Sequence, residues 1–397
     1  MPKLLSEILK TRFQINFFRL TLELKEVKSG KDLKSFVKFP FSLYRNNSYW
    51  IPPLIRDEMM TLNAEKNPAF EYCESKMWIA YKDGKPAGRI CGIINNKYVD
   101  IWKKKAVRFG WIDFIDDEEV SSALINAVEE WGASRGLEEI HGPLGFTDLD
   151  YEGMLIEGFN ELGTIATIYN HDYYPKHIEK LGFEKEVDWV EYEITVPDSI
   201  PEKAERIASI IKERSGIHLF EPKSSKDFLP YGRQIFRLIN SSYENLFGFV
   251  PLADNQIDYY IKQYFGFIVT HYTKVLLDSK GDVAGFVIGM PSLARAMQKA
   301  CGKLFPFGVF HLLRAIKMKN KYVDLYLGAI RPDLQGKGAD ALLMTEITKS
   351  CIANKVISAE SNIELETNVL VRGHWKYFNS RMHKRRRCFA KKLNSKV

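Results

Sequence analysis

The sequence predicts an α/β protein of two similar lobes, each a mixed, mostly antiparallel sheet flanked by helices. Three observations point there. The chain has 397 residues, a length that suits two or three domains. Apolar residues make up 45% and charged residues 27%, so a core can form and a mostly disordered chain is excluded. Strand and helix signals in the first half recur in the same order in the second, without residue-level identity, which makes this a repeat of element order. The boundaries that follow are a first lobe over 1–197, a connector over 198–215 and a second lobe over 216–397.

Leu22 to Val27 alternates as a strand does, and Asp32 to Tyr44 reads as a helix with Asp32 as its cap. Met77 to Tyr81 and Pro86 to Ile94 are apolar strands around Lys82-Asp83-Gly84-Lys85, whose Asp-Gly is a hairpin turn. Arg108 to Phe114 is a strand, Glu118 to Arg135 an amphipathic helix stopped by Gly136, and Glu139 to Gly142 a strand. Tyr173 to Lys180 is a short helix closed by Leu181-Gly182-Phe183, with Asp188 to Thr195 as the last strand of the lobe. The charged helix Ser199 to Glu213 connects the halves.

Ile217 to Phe220 then opens the repeat as a strand, followed by helices over Tyr231 to Glu244 and Ile257 to Tyr264. Lys274 to Leu277 and Val283 to Met290 form a hairpin around Ser279-Lys280-Gly281-Asp282. Tyr322 to Ile330 is a strand, Ala339 to Ala353 a helix, Asn362 to Glu366 a strand and Val369 to Met382 a helix before a basic terminal strand.

Net charge is +7, unevenly spread. Pro291 to Asn320 holds six cations and no acid, Arg372 to Val397 holds ten and no acid, and everything else sums to −9. Cys73, Cys91, Cys301, Cys351 and Cys388 have neither CxxC nor metal-ligand spacing, so neither a disulfide framework nor a metal site is expected, and a reducing cytoplasm fits. Met1 to Leu20 lacks a signal-peptide core, and no apolar run reaches the roughly 18 residues of a membrane span. A peripheral place on the inner face of the membrane stays open.

The sharpest motif lies between the strand ending at Ala329-Ile330 and the helix starting at Ala339: Gln335-Gly336-Lys337-Gly338. Glycines there let backbone N–H groups converge on an anion, and a helix N-terminus adds partial positive charge. The run is neither a P-loop nor G-x-G-x-x-G, so nucleoside triphosphate and NAD are poor matches. Geometry alone also explains glycines in a strand-to-helix turn.

Gln335 to Asp340 resembles the pyrophosphate loop R/Q-x-x-G-x-G/A of the GNAT superfamily of acyl-CoA N-acyltransferases, and the element order over Ile217 to Leu393 is similar to that fold. The resemblance implies acyl-CoA as co-substrate, no resident cofactor, and Ala329, Ile330, Gln335, Gly336, Lys337, Gly338 and Ala339 as the residues that hold it. Asp340 stands where the motif has Gly or Ala, and its carboxylate opposes a diphosphate. That leaves acyl carrier protein as an alternative donor. The first lobe resembles the same fold, with Tyr173 to Phe183 as its last helix. Where its loop belongs stands Asp113-Phe-Ile-Asp116-Asp117-Glu118-Glu119, whose acids cap a helix and repel phosphate, so no CoA is expected there.

Tyr49 to Leu54, Gly142-Pro143-Leu144, Glu157-Gly158-Phe159, Tyr169 to Tyr174 and Phe247 to Leu252 resemble a two-lobed bacterial family related to GNAT enzymes, some of whose members resemble bacterial ceramide synthases. That implies transfer of a long-chain acyl group to a sphingoid-type amine. Two rival expectations are a non-catalytic acyl-lipid or membrane-binding protein of this fold, favoured by Asp340, and an acetyltransferase of a small amine.

Amide formation from a thioester needs a base for the ammonium and an acid for the thiolate. Glu364 and Glu366 fall on one side of a strand, so one can supply a base directly or through water; a solvated strand face is the plain alternative. The resemblance implies Tyr377 as the acid and Asn368 as the asparagine at the strand-helix junction, a position where capping also accounts for it. His374 and His383 read as surface groups. In 291–320, apolar residues at helical spacing and Leu304-Phe305-Pro306-Phe307-Gly308-Val309-Phe310 are interspersed with Arg295, Lys299, Lys303, Arg314, Lys317 and Lys319. This is the composition of an interfacial helix pair, expected close to the strand that holds the acyl group; a lid packed on its own lobe is the plain alternative. The run Lys384 to Arg387 is expected beside a phosphate-bearing co-substrate or membrane rather than nucleic acid.

Overall fold

The computed structural model describes residues 22–318 and 320–393. Met1 to Leu20 and Lys319 lie outside the described residues. The strands of the first half are β1 (Leu22–Glu26), β2 (Cys73–Lys82), β3 (Lys85–Asn95), β4 (Ala106–Phe114), β5 (Glu139–Gly142), β6 (Met154–Glu157) and β7 (Glu184–Thr195). Those of the second are β8 (His218–Leu219), β9 (Thr273–Leu277), β10 (Val283–Pro291), β11 (Tyr322–Ile330), β12 (Ser358–Glu360), β13 (Glu364–Leu365) and β14 (Ser380–Lys392). In both halves an antiparallel meander ends in one parallel pair, β4 with β5 and β11 with β12.

The local signals behave as their chemistry dictates. Asp83 and Gly84 both adopt left-handed backbone, the pair of conformations a two-residue hairpin turn needs. In the second hairpin the Asp278 carboxylate accepts from the N–H groups of Lys280 and Asp282. Helix α1 (Gly30–Leu43) starts two residues earlier than expected. Its cap is Ser29, and Asp32 is the reciprocal member of a capping box. The other helices are α2 (Ile55–Thr61), α3 (Asn96–Trp102), α4 (Glu118–Ser134), α5 (Tyr173–Lys180), α6 (Glu202–Arg214), α7 (Gly232–Tyr243), α8 (Asp254–Tyr264), α9 (Ala294–Ala300), α10 (Gly308–Lys317), α11 (Ala339–Ala353) and α12 (Val369–His374). The expected helix from Val369 to Met382 is shorter: α12 gives way to a 3₁₀ turn at Trp375–Tyr377, and β14 begins at Ser380.

The halves exchange their last strands. β7 of the first half pairs with β12 of the second, β14 of the second pairs with β5 of the first, and β7 and β14 pair with each other from Glu184↔Ala390 to Ile194↔Ser380. One continuous sheet results, in the order β1-β2-β3-β4-β5-β14-β7-β12-β11-β10-β9-β8. Each half keeps its own apolar core. Phe109, Phe114, Leu124, Val128 and Phe389 pack in the first, and Phe228, Ile235, Phe236, Val275 and Phe286 in the second.

The exchange also disposes of the basic terminus. Lys384 and Arg386 are buried, and both pair with the buried Glu191 of β7, Arg386 Nε at 2.6 Å and Lys384 Nζ at 3.1 Å. Arg385 and Arg387 pair with Asp188. These four cations are neutralised inside the sheet, so the expectation that they face a diphosphate or a membrane is corrected. Side chains two apart share a face of a strand, and the acids of β7 lie opposite them.

Candidate active site in the second half

β11 and β12 pair at only three positions, Tyr322↔Ser358, Val323↔Ala359 and Asp324↔Glu360. Beyond them β11 continues to Ile330 without that partner, while the neighbouring segment stays paired with β7 through β13. A cleft opens between the two, bridged by Asn362 Nδ2, which donates to the Tyr326 carbonyl at 3.0 Å. The expected strand Asn362 to Glu366 is thus reduced to Glu364–Leu365, and β12 is an addition the sequence did not signal.

The glycine motif stands at the open end of β11. Gly336 and Gly338 both have positive φ, +70° and +89°. A Cβ on Gly338 would stand 2.8 Å from Ile211 Cδ1 of α6, so the connector helix supports the loop from behind. The Gln335 amide turns back to donate to the Ile330 carbonyl at 3.0 Å, closing the turn. Gly336 and Lys337 are exposed, and Ala329 and Ala339 are buried under the loop.

The four proposed chemical residues occupy different surroundings. Both Glu364 oxygens accept from Trp375 Nε1, at 2.9 and 3.0 Å. Burial pushes this carboxyl up to about 7, against the opposing pull of that indole. Glu366 is instead taken up by Lys185 and Arg385, so the two glutamates do not form a pair. The Asn368 side chain caps α12, accepting from the Val371 N–H. Tyr377 is 82% exposed, open to solvent rather than packed.

Asp340 is not left facing the loop. Its Oδ2 bonds His374 Nε2 at 2.8 Å, and that hydrogen bond holds the carboxyl below its usual range. His374 is half-buried in this pair, which replaces its reading as a surface group. Sequence reasoning also passed over Asp324, where β11 and β12 part. It is buried, bonds the Tyr326 hydroxyl at 3.1 Å, and burial beside Glu360 pushes it up to about 7. Its signal was available: a lone acid inside the apolar run Tyr322 to Ile330.

In the first half, Asp117 accepts from the N–H groups of Glu119 and Val120 at the start of α4, and Lys82 pairs with Asp117 and Glu119. Those N–H groups are spent on a side chain, in keeping with the capping role read from the acids. Three distant residues, His141, Glu186 and Cys388, come within 4.8 Å of one another. Lys104 already pairs with Glu186, and burial holds the Cys388 thiol well above its ordinary range, so the trio is a buried polar knot.

A tandem GNAT protein from the clavulanic acid biosynthesis pathway superposes with a TM-score of 0.54 over 94% of this chain and 99% of that one, at 10% identity. The chain has the tandem GNAT fold. A GCN5-related glucosamine N-acetyltransferase region of a fungal multi-domain GH3 beta-N-acetylglucosaminidase gives a TM-score of 0.56 at 12% identity, covering 94% of this chain and 38% of that chain. In sequence, this chain is 28% identical over 368 residues to Protein YghO of Escherichia coli K12, covering 91% of this chain and 93% of that protein. It is 26% identical over 300 residues to the bacterial ceramide synthase of Caulobacter vibrioides, covering 74% and 76%. No protein-family model matches it.

Proposed function

We propose that the protein is an N-acyltransferase that moves an acyl group from acyl-CoA, or from acyl carrier protein, to a primary amine, with a long-chain acyl group and a sphingoid-type amine as its substrates. The observation that carries the reading is the parting of β11 from β12 below a glycine turn, with Glu364 on the segment that continues along β7. In this reading residues 335–338 and the N-terminus of α11 hold the diphosphate, and the thioester lies along Ala329 and Ile330. Glu364, poised near neutrality, takes the ammonium proton directly or through water. Tyr377 gives a proton to the leaving thiolate, and Asn368 fixes the segment that presents it. The likeness to a bacterial ceramide synthase supports the lipid acceptor.

The insertion supports work at a membrane surface, though not where expected. It leaves the sheet at Pro291 and rejoins it at Tyr322, the end of β11 opposite the glycine loop, and nine residues of strand separate those ends by about 26 Å. It packs on the first half instead: Gln298 donates to the Trp50 carbonyl and the Ile55 N–H to the Gly302 carbonyl, both at 3.0 Å. Phe305, Phe307 and Phe310 are 70%, 71% and 66% exposed. Arg295, Lys299, Lys303, Arg314 and Lys317 are exposed and form no ion pair among the described residues. Aromatic and unpaired cationic side chains on one protrusion suit an anionic bilayer surface. No described helix is long and apolar enough to cross a membrane.

Titration calorimetry with CoA tests the donor site. Saturable heat that is lost in Gly338→Val, a change that puts a branched side chain against Ile211, is expected. A folded protein that gives no heat with CoA or with acyl carrier protein refutes the donor reading.

A further inference from the structure

The first half repeats the opened strand pair and encloses a pocket there. β4 and β5 are paired only from Ala106↔Glu139 to Arg108↔His141. Beyond that point Trp50, Ile51, Trp111, Tyr151, Glu58 and Arg89 are among the residues around a cavity of about 50 Å³. Its charges are unequally matched. Arg89 Nη2 pairs with Asp113 Oδ2 at 2.8 Å, and Tyr44 donates to the other Asp113 oxygen at 2.8 Å. Glu58, only 7% exposed, receives the Trp111 indole N–H on Oε2 at 2.7 Å but forms no ion pair among the described residues. Burial pushes its carboxyl up to about 7, with the Arg89 charge pulling the other way and Asp150 and Asp113 adding to the rise.

The nearby Arg89 makes its ion pair with Asp113, so Glu58 has no ion-pair partner of its own among the described residues and is costly as a buried anion, and aromatic walls around it attract cations rather than anions. An anionic ligand would find the one guanidinium of the pocket already taken by Asp113. We propose that the first half holds a second ligand site, separate from the glycine-loop cleft, that takes the ammonium end of an alkylamine between Glu58 and the rings of Trp50, Trp111 and Tyr151. β5, β14, β7 and β12 lie between β4 and β11, a separation of about 24 Å at roughly 4.8 Å per strand. The site does not depend on acyl transfer taking place in the second half. Its wall at Trp50 belongs to the segment on which the aromatic, basic insertion rests through Gln298, so an amine can arrive from a bilayer as well as from water.

The test uses the full chain labelled with ¹⁵N-tryptophan, the Trp111 indole resonance being assigned by its loss in Trp111→Phe. Octylamine, or dodecylamine carried in phosphatidylcholine vesicles, should move that resonance saturably, and octanoate should not. Movement with octylamine assigns a free amine; movement with the vesicle-borne amine alone assigns a lipid. Glu58→Gln, which keeps size and removes charge, should weaken the amine at least tenfold, and Glu364→Gln should leave its affinity unchanged. No movement with either amine, an equal response to octanoate, or a loss in Glu364→Gln rather than in Glu58→Gln would overturn the proposal. The wild-type resonance carries the test if Glu58→Gln fails to fold.

Discussion

His374 Nε2 lies 2.8 Å from Asp340 Oδ2, tying the first turn of the helix behind the glycine loop to the segment that carries Trp375 and, through its indole, Glu364. The residue that departs from the pyrophosphate motif is therefore joined to the proposed base by two adjacent side chains, the last of α12 and the first of the 3₁₀ turn.

Asp340→Ala removes a carboxylate from a helix N-terminus that would otherwise favour an anion. Charges in a first turn are worth about 0.3–1 kcal/mol, so CoA should bind about two- to fivefold more tightly by calorimetry. Weaker binding would show instead that the Asp340–His374 pair holds the loop in shape.

Glu364 must be ionised to accept a proton. Because burial raises it to about 7, kcat/KM should climb with pH through about 7 and level off above it. Glu364→Gln should cost about 10²–10⁴ in kcat. Trp375→Phe removes the N–H that favours the ionised form, so the rising limb should move to higher pH; a shift to lower pH would contradict the assignment.

Arg386 and Lys384 hold the Glu191 carboxyl below its usual range. A carboxyl lowered on folding contributes stability above its unfolded value, near 4.5, and that contribution is lost as pH falls through the lower folded value. Arg386→Met leaves a buried charge partly unpaired and should cost about 3–5 kcal/mol in urea unfolding at pH 7. A loss below 1 kcal/mol would mean the strand exchange does not depend on this knot.

For the insertion, replacing Arg295, Lys299, Lys303, Arg314 and Lys317 with Gln should abolish co-sedimentation with phosphatidylglycerol vesicles, since each cation near such a surface contributes about 1 kcal/mol. Replacing Phe305, Phe307 and Phe310 with Ser, with the cations kept, should weaken it. Undiminished binding in the first variant would remove the membrane role.

What the sequence revealed was local. The Asp83-Gly84 turn, the glycine loop and the capping acids at Asp117 declare themselves within a few neighbouring residues, and each stands where it was read. The exchange of β7 and β14 was not legible, because alternation marks a strand without naming its partner. For the same reason Lys384 to Arg387 read as a free basic run, although the acids that neutralise them sit at Asp188 and Glu191. Glu366 lost its place beside Glu364 to Lys185 and Arg385, both far from it in sequence. The pocket around Glu58 and Trp111 draws on segments from Pro40 to Tyr174, and no spacing rule joins them.

The most direct measurement is mass spectrometry of the products when purified protein is given a ¹³C-labelled long-chain acyl-CoA and a sphingoid amine. Label should appear in an N-acyl amide with one thiol released per amide, and Glu364→Gln should reduce both together. Protein that is folded and binds CoA, yet forms no labelled amide with any of a panel of long-chain amines, would contradict the account.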